Sequence, residues 1–162
     1  MDKKETFIKA IKDNERLILK IASVYTNNAD DKADLVQEII YQLWKSFDAF
    51  KQQASLSTWL YRVALNVAIY QLKVSKKRVQ TIPMDEQLLN YQDEDTSATE
   101  QKWEAFRRHI EALNLLDKAI IMLYLDNKSH DEIAEIVGIS TSNVGTKMQR
   151  IKEKLRKQHK NN

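Results

Sequence analysis

The chain has no cysteine, one proline and two glycines among its 162 residues. Without cysteine there is no disulfide framework, a composition that suits a reducing compartment. Scarce glycine and proline argue against long sheets joined by tight turns. No apolar run approaches the length of a membrane span, and the lysine-rich start lacks the apolar core of a secretion signal. A cytoplasmic location without membrane insertion is the expectation. Phosphate-cradling loops need clustered glycines, whereas Gly138 and Gly145 stand apart. His109, His130 and His159 are scattered, and no familiar metal-ligand spacing arises. No Ser/His/Asp grouping is indicated. Catalysis, a metal and a cofactor are therefore not expected.

What is present favours helices: Leu, Ile, Lys, Glu and Gln in quantity. The net charge of +3 hides an uneven distribution. From Trp59 through Thr81 there are five basic residues and no acid, and from Ile82 through Glu100 six acids and no Lys or Arg. The last stretch, Lys147 to Lys160, holds seven Lys/Arg and one acid, Glu153. Such blocks point to separate jobs along the chain.

The most informative stretch is SHDEIAEIVGISTSNVGTKMQRIKEKLRKQ, Ser129 to Gln158. Ser129 and Glu132 have capping-box spacing, and a short helix follows with Ile133, Ala134, Ile136 and Val137 turned inward. Gly138 permits the left-handed conformation of a helix stop, and Ser140 can cap a second helix. That helix carries Val144, Met148, Ile151 and Leu155 on one stripe. Ser142 stands at its start, and Asn143, Thr146, Lys147 and Arg150 fall on another face. Small Ala134 lets the two helices cross closely. Geometry alone also fits an ordinary helical corner, but a basic helix whose outer face holds Asn, Thr, Lys and Arg favours nucleic-acid binding by a helix-turn-helix.

Taken in order, residues 6–26 predict an amphipathic helix with Phe7, Ile11, Leu17, Ile18, Ile21, Ala22 and Tyr25 inside. Asp30 or Asp31 is the expected cap of the next helix, about 32–48. Its inner positions are Leu35, Ile39, Leu43 and Phe47, flanked by Val36, Ile40 and Trp44. Asp34, Gln37, Glu38 and Gln42 lie off that stripe. Phe50 to Ser57 shows no sustained stripe and leads into a helix from Thr58 to about Val74, with Leu60, Val63, Ala64, Val67, Ala68 and Leu72 inside. Arg62, Asn66, Tyr70 and Lys73 share another face. Trp59 and Tyr61 suit stacking on unpaired bases, or simple packing. Residues 80–98 read as an acidic linker, largely disordered when free. Helices at about 99–113 and 115–126, with Trp103, Phe106, Ile110, Leu113, Leu116, Ala119, Ile120 and Leu123 inside, complete the second unit. The fold class is all-α: two small helical domains, residues 1–79 and 99–162, joined by that linker.

Two motifs together resemble the sigma-70 family of bacterial RNA polymerase sigma factors, in its small extracytoplasmic-function (ECF) class. ADLVQEIIYQLWKSFDAF followed by STWLYRVALNVAIYQLK resembles region 2. LNLLDKAIIMLYLDNKSHDEIAEIVGISTSNVGTKMQRIKEKLR resembles region 4. The resemblance implies that residues 1–79 bind core RNA polymerase and open the −10 element, while the helix-turn-helix reads the −35 element of promoter DNA. Asp34, Leu35, Gln37 and Glu38 match the polymerase-binding positions. Phe50, Lys51, Gln52 and Gln53 stand where the family captures a flipped −10 base, and Tyr61, Arg62 and Asn66 where its next helix meets the melted strand. Ser142, Asn143, Thr146, Lys147 and Arg150 lie along the −35 recognition helix. The resemblance also implies an anti-sigma factor as partner and a linker that threads the polymerase's RNA channel. The chain departs from the family pattern in its loop, KQQASL where RGDSSF is common, and at Gly145 and Lys147, where a basic residue and arginine are usual.

Other readings explain less. A stand-alone helix-turn-helix regulator leaves the DLVQE and TWLYR segments without a purpose, a DNA-modifying enzyme lacks an active-site cluster, and a pure interaction protein leaves the basic face unexplained.

Overall fold

The computed structural model describes residues 2–50, 55–75 and 97–160. The chain divides into two compact units, residues 1–90 and 91–162, and among the described residues every regular element is helical. Residues 80–96 of the expected linker lie outside the described residues; its last two, Ser97 and Ala98, already belong to a helix.

The first unit comprises α1 (Lys3–Asp13), α2 (Glu15–Tyr25), α3 (Ala29–Ser46), a 3-10 turn (Phe47–Ala49) and α4 (Leu56–Ser75). The single helix expected over 6–26 is two helices, interrupted at Asn14. There φ is −117°, and the side-chain amide donates to the Ala10 carbonyl at 2.8 Å. Asparagine competes in this way with the backbone ladder. Asn28, not Asp30 or Asp31, caps α3: its Oδ1 accepts from the Asp31 N–H at 2.8 Å. The two aspartates instead occupy the first turn, where negative charge suits the helix N-terminus. Likewise α4 starts two residues before Thr58, because Ser55 Oγ accepts from the Thr58 N–H at 3.1 Å.

The core of this unit forms where α2, α3 and α4 pack on one another. Ile18, Ile21, Ile39, Leu43, Leu60 and Ala64 are essentially inaccessible, as the apolar periodicity requires. A line of rings closes one end. Trp44, Phe7, Phe47, Trp59 and Phe50 follow one another at centroid spacings of 5.0, 5.3, 6.0 and 5.0 Å. The first two pairs are edge-to-face, an arrangement aromatic quadrupoles prefer. The line ties α1 and the 3-10 turn to the start of α4. Trp44, expected inside, sits at its rim, 37% exposed, with the Lys3 ammonium 4.4 Å from its ring centre.

The second unit comprises α5 (Ser97–Ile110), α6 (Leu115–Leu125), α7 (His130–Val137) and α8 (Thr141–Lys160). Helix α5 stops at Ile110, earlier than expected, and Leu113 is buried from the following turn. Asn114 then caps α6, its Oδ1 accepting from the Asp117 N–H at 2.8 Å. Ala119, Ile120, Ile121, Met122 and Leu123 are all buried, so α6 is covered on nearly every side by its neighbours. A single-face stripe could not have identified Ile121 and Met122. Past the Asp126 cap, Asn127 takes a left-handed φ of 62° while the Lys128 N–H returns to the Leu123 carbonyl at 3.1 Å.

Candidate functional site

The helix-turn-helix forms from local chemistry that the sequence spells out. Ser129 Oγ accepts from the Glu132 N–H at 3.1 Å, and Glu132 Oε1 accepts from the Ser129 N–H at 3.1 Å, closing the capping box. These bonds hold the Glu132 carboxyl below its ordinary range. Gly138 follows with φ 79°, and the Gly138 and Ile139 N–H groups both donate to the Ala134 carbonyl, at 2.9 and 3.2 Å. Ser140 then caps α8 through the Asn143 N–H at 3.1 Å, and Thr141 Oγ1 donates to Asp131 Oδ1 at 2.9 Å, joining the starts of the two helices. Val144, Met148 and Ile151 are buried against α6 and α7, which fixes the rotation of α8.

That rotation leaves Ser142, Asn143, Thr146 and Arg150 exposed. These side chains supply hydroxyl, amide and guanidinium groups, the donors and acceptors used on base edges and phosphates. Lys147 differs. Its ammonium is turned toward α6 and lies 3.9 Å from Asp117 Oδ1, with the side chain only 33% exposed. Asp117 is buried in the first turn of α6, where a polar residue leaves no mark on the apolar stripe.

On the first unit, two surfaces answer to the candidate residues. On α3, Gln37 is exposed and Asp34 and Glu38 are half-buried, Glu38 accepting from Gln42 Nε2 at 3.0 Å. Partial desolvation, then the charges of Asp31 and Asp30, push the Asp34 carboxyl up from its ordinary value. Leu35 is a correction: it is 3% exposed and belongs to the core, so it supports this strip from beneath. One turn further, exposed Tyr41 extends the strip, with the Lys45 ammonium 5.3 Å from its ring centre. Tyr41 carries no signal in the sequence, since an exposed tyrosine has no periodic signature.

On α4, Asn66 and Tyr70 are exposed and Arg62 is half-buried, one turn apart along a single face. Tyr61 does not join them. It is 1% exposed and packed in the core, which is the packing alternative for this residue rather than the stacking one. Trp59 is buried as well, between Phe47 and Phe50. Phe50 is half-buried at the end of the aromatic line. Lys51, Gln52 and Gln53 lie outside the described residues.

The comparison with known proteins agrees with this division. Sigma-70 region 2 matches residues 10–78 and Sigma-70, region 4 matches residues 103–155. The chain is 30% identical to the RNA polymerase sigma factor SigV of Bacillus subtilis (strain 168), over 96% of this chain and 95% of that protein. It is also 30% identical to the ECF RNA polymerase sigma factor SigW of the same strain, over 81% of this chain and 76% of that one. Two solved structures share the fold. CnrH, in complex with the cytosolic domain of CnrY, gives a TM-score of 0.72 at 17% identity, covering 98% of this chain and 90% of its own. The sigma factor RpoE of Bartonella quintana, in complex with the anti-sigma factor NepR, gives 0.70 at 18% identity, covering 96% and 98%. With both regions matched in order, and a relative aligned along nearly the whole length, the chain belongs to the sigma-70 family of RNA polymerase sigma factors, in its ECF class.

Proposed function

We infer that this protein is an alternative sigma factor that binds core RNA polymerase and directs promoter-specific transcription initiation. The observation that carries the reading is the presence, in one chain, of region 2 over residues 10–78 and region 4 over residues 103–155. A stand-alone regulator has no use for the first of these. Residues 1–79 take the polymerase and the −10 element, residues 80–98 connect, and residues 99–162 take the −35 element.

Within that division, Asp34, Gln37 and Glu38 on α3 are the polymerase-facing groups. Their support is position: polar, at the surface, and directly above a buried Leu35 that holds the helix in place. Arg62, Asn66 and Tyr70 on α4 form the surface for the unpaired −10 strand, with Phe50 at the start of the helix, against Trp59. Cation, amide and ring along one helix face suit backbone contact, base-edge bonding and stacking. Ser142, Asn143, Thr146 and Arg150 read the −35 duplex from the major groove. The protein acts as a DNA-binding specificity subunit without chemistry of its own, and a partner of RNA polymerase works in the cytoplasm. The solved relatives are held by CnrY and by the anti-sigma factor NepR. An anti-sigma factor is accordingly proposed as the regulator here.

The deciding experiment combines co-purification with core polymerase and run-off transcription from a promoter panel. Association with core and initiation confined to a subset of promoters is the expected result. DNA binding without association with core would leave the stand-alone regulator as the correct reading.

A further inference from the structure

The pair Asp117–Lys147 has no part in the −35 reading, and it ties a cation of the recognition helix to α6. Lysine on such a helix is normally free to meet phosphate. Here the ammonium sits 3.9 Å from Asp117 Oδ1, too far for a good hydrogen bond but close enough for a charge contact. The two side chains are 33% and 13% exposed, so solvent screens this pair less than an ion pair at the open surface. Oδ1 is buried with no hydrogen-bond partner among the described residues. The backbone N–H of Asp117 is already committed to Asn114 Oδ1. Lys147 is therefore the cation that compensates this carboxylate. Moving it onto DNA would leave a buried negative charge uncompensated, which is costly.

We propose that Asp117 is a positioning residue that withholds Lys147 from the DNA backbone, lowering the sequence-independent affinity of α8 while bracing it against α6. The neighbouring Asn143, Thr146 and Arg150 are exposed and unaffected by this restraint. The consequence is a recognition helix with one fewer phosphate contact than its charge suggests. Nonspecific attraction to DNA falls, and a larger share of binding rests on the base-reading groups. This inference rests on the −35 reading only for its biological consequence; the withheld charge itself is measurable on any duplex.

The test uses the full-length chain and two duplexes of equal length, one carrying the −35 element and one not, titrated across salt concentrations. Asp117→Asn, which keeps shape and removes charge, should strengthen binding to both duplexes. The slope of log affinity against log salt should steepen by about 0.9, the signature of one added phosphate contact. The gain should accordingly shrink about 3.5-fold between 50 and 200 mM salt, as that slope dictates. Asp117→Ser provides a second neutral variant should the first fold poorly, and Asp117→Glu, which retains the charge, should restore the wild-type slope. Adding Lys147→Gln to Asp117→Asn should abolish the gain. Unchanged or weakened binding in the folded neutral variants, or a gain that survives Lys147→Gln, overturns the proposal. Asn143→Ala and Arg150→Ala serve as a separate arm: if neither lowers the ratio between the two duplexes, the −35 reading fails while the Asp117 result is judged on the slopes alone.

Discussion

Gly145 offers a sharp test of how far the recognition helix is shaped by packing. It lies inside α8, between buried Val144 and exposed Thr146, and nothing in its backbone requires glycine. A methyl group built on its Cα would meet only His130 Nδ1, at 3.9 Å, an ordinary van der Waals distance. Steric cost is therefore absent, and what remains is intrinsic propensity. Glycine inside a helix is about 0.8–1.0 kcal/mol less favourable than alanine, because it loses more backbone freedom on folding. Gly145→Ala should stabilise the second unit by roughly 1 kcal/mol. For a unit of this size that corresponds to a rise of about 4–8 °C in its melting temperature. Calorimetry of the full-length protein, paired with hydrogen exchange at the α8 amides, separates this effect from the first unit. Slower exchange confined to α6–α8 and a raised transition are expected. An unchanged or lowered transition would refute the reasoning. Gly138→Ala is the contrasting control: with φ at +79° the added Cβ is strained even in open space, so this change should destabilise.

Three further outcomes follow from the two units. Asp34→Asn should raise the stability of the first unit near neutral pH, since a carboxyl raised by desolvation and by Asp31 and Asp30 disfavours its charged folded form; the gain should vanish as pH falls through the carboxylate range, while polymerase binding in a pull-down weakens throughout. Tyr70→Ala should leave melting within about 0.5 kcal/mol of wild type yet cost about 1–3 kcal/mol in binding to single-stranded −10 DNA. Tyr61→Ala, by contrast, should cost about 3–5 kcal/mol of stability as a large buried ring is lost; a reversal of these two patterns would show that the wrong tyrosine faces the strand. Ser129→Ala should destabilise the helix-turn-helix by about 1 kcal/mol. Because the Glu132 carboxyl is held low by Ser129, its contribution is present above the unfolded-state pKa and lost as pH falls through the folded one. The pH dependence of unfolding in that acid range should flatten only in part, because the Ser129 backbone N–H, the larger cause of the lowered carboxyl, survives the substitution.

The sequence alone determined the all-helical class, the reading of two units and the family. Each rests on information carried by near neighbours: apolar steps of three and four, a serine three residues before a glutamate, a glycine after Val137. The helix-turn-helix was legible residue by residue because capping and chain reversal are local, and the structure reproduces the Ser129–Glu132 box, the left-handed Gly138 and the Ser140 cap. Tertiary structure decided the rest. Three helix ends moved because Asn14, Asn28 and Ser55 compete for backbone groups in ways that periodicity does not report. Tyr61 went inside because α4 is covered by partners distant in sequence. Whether an aromatic stacks on a base or on a neighbour depends on that cover, not on the residue. Lys147 is the clearest case. Its step along α8 matches the exposed reading face, but a carboxylate thirty residues earlier in the chain draws it toward α6. No pattern within one helix can announce a charge on another, because the attraction exists only once the two helices are packed.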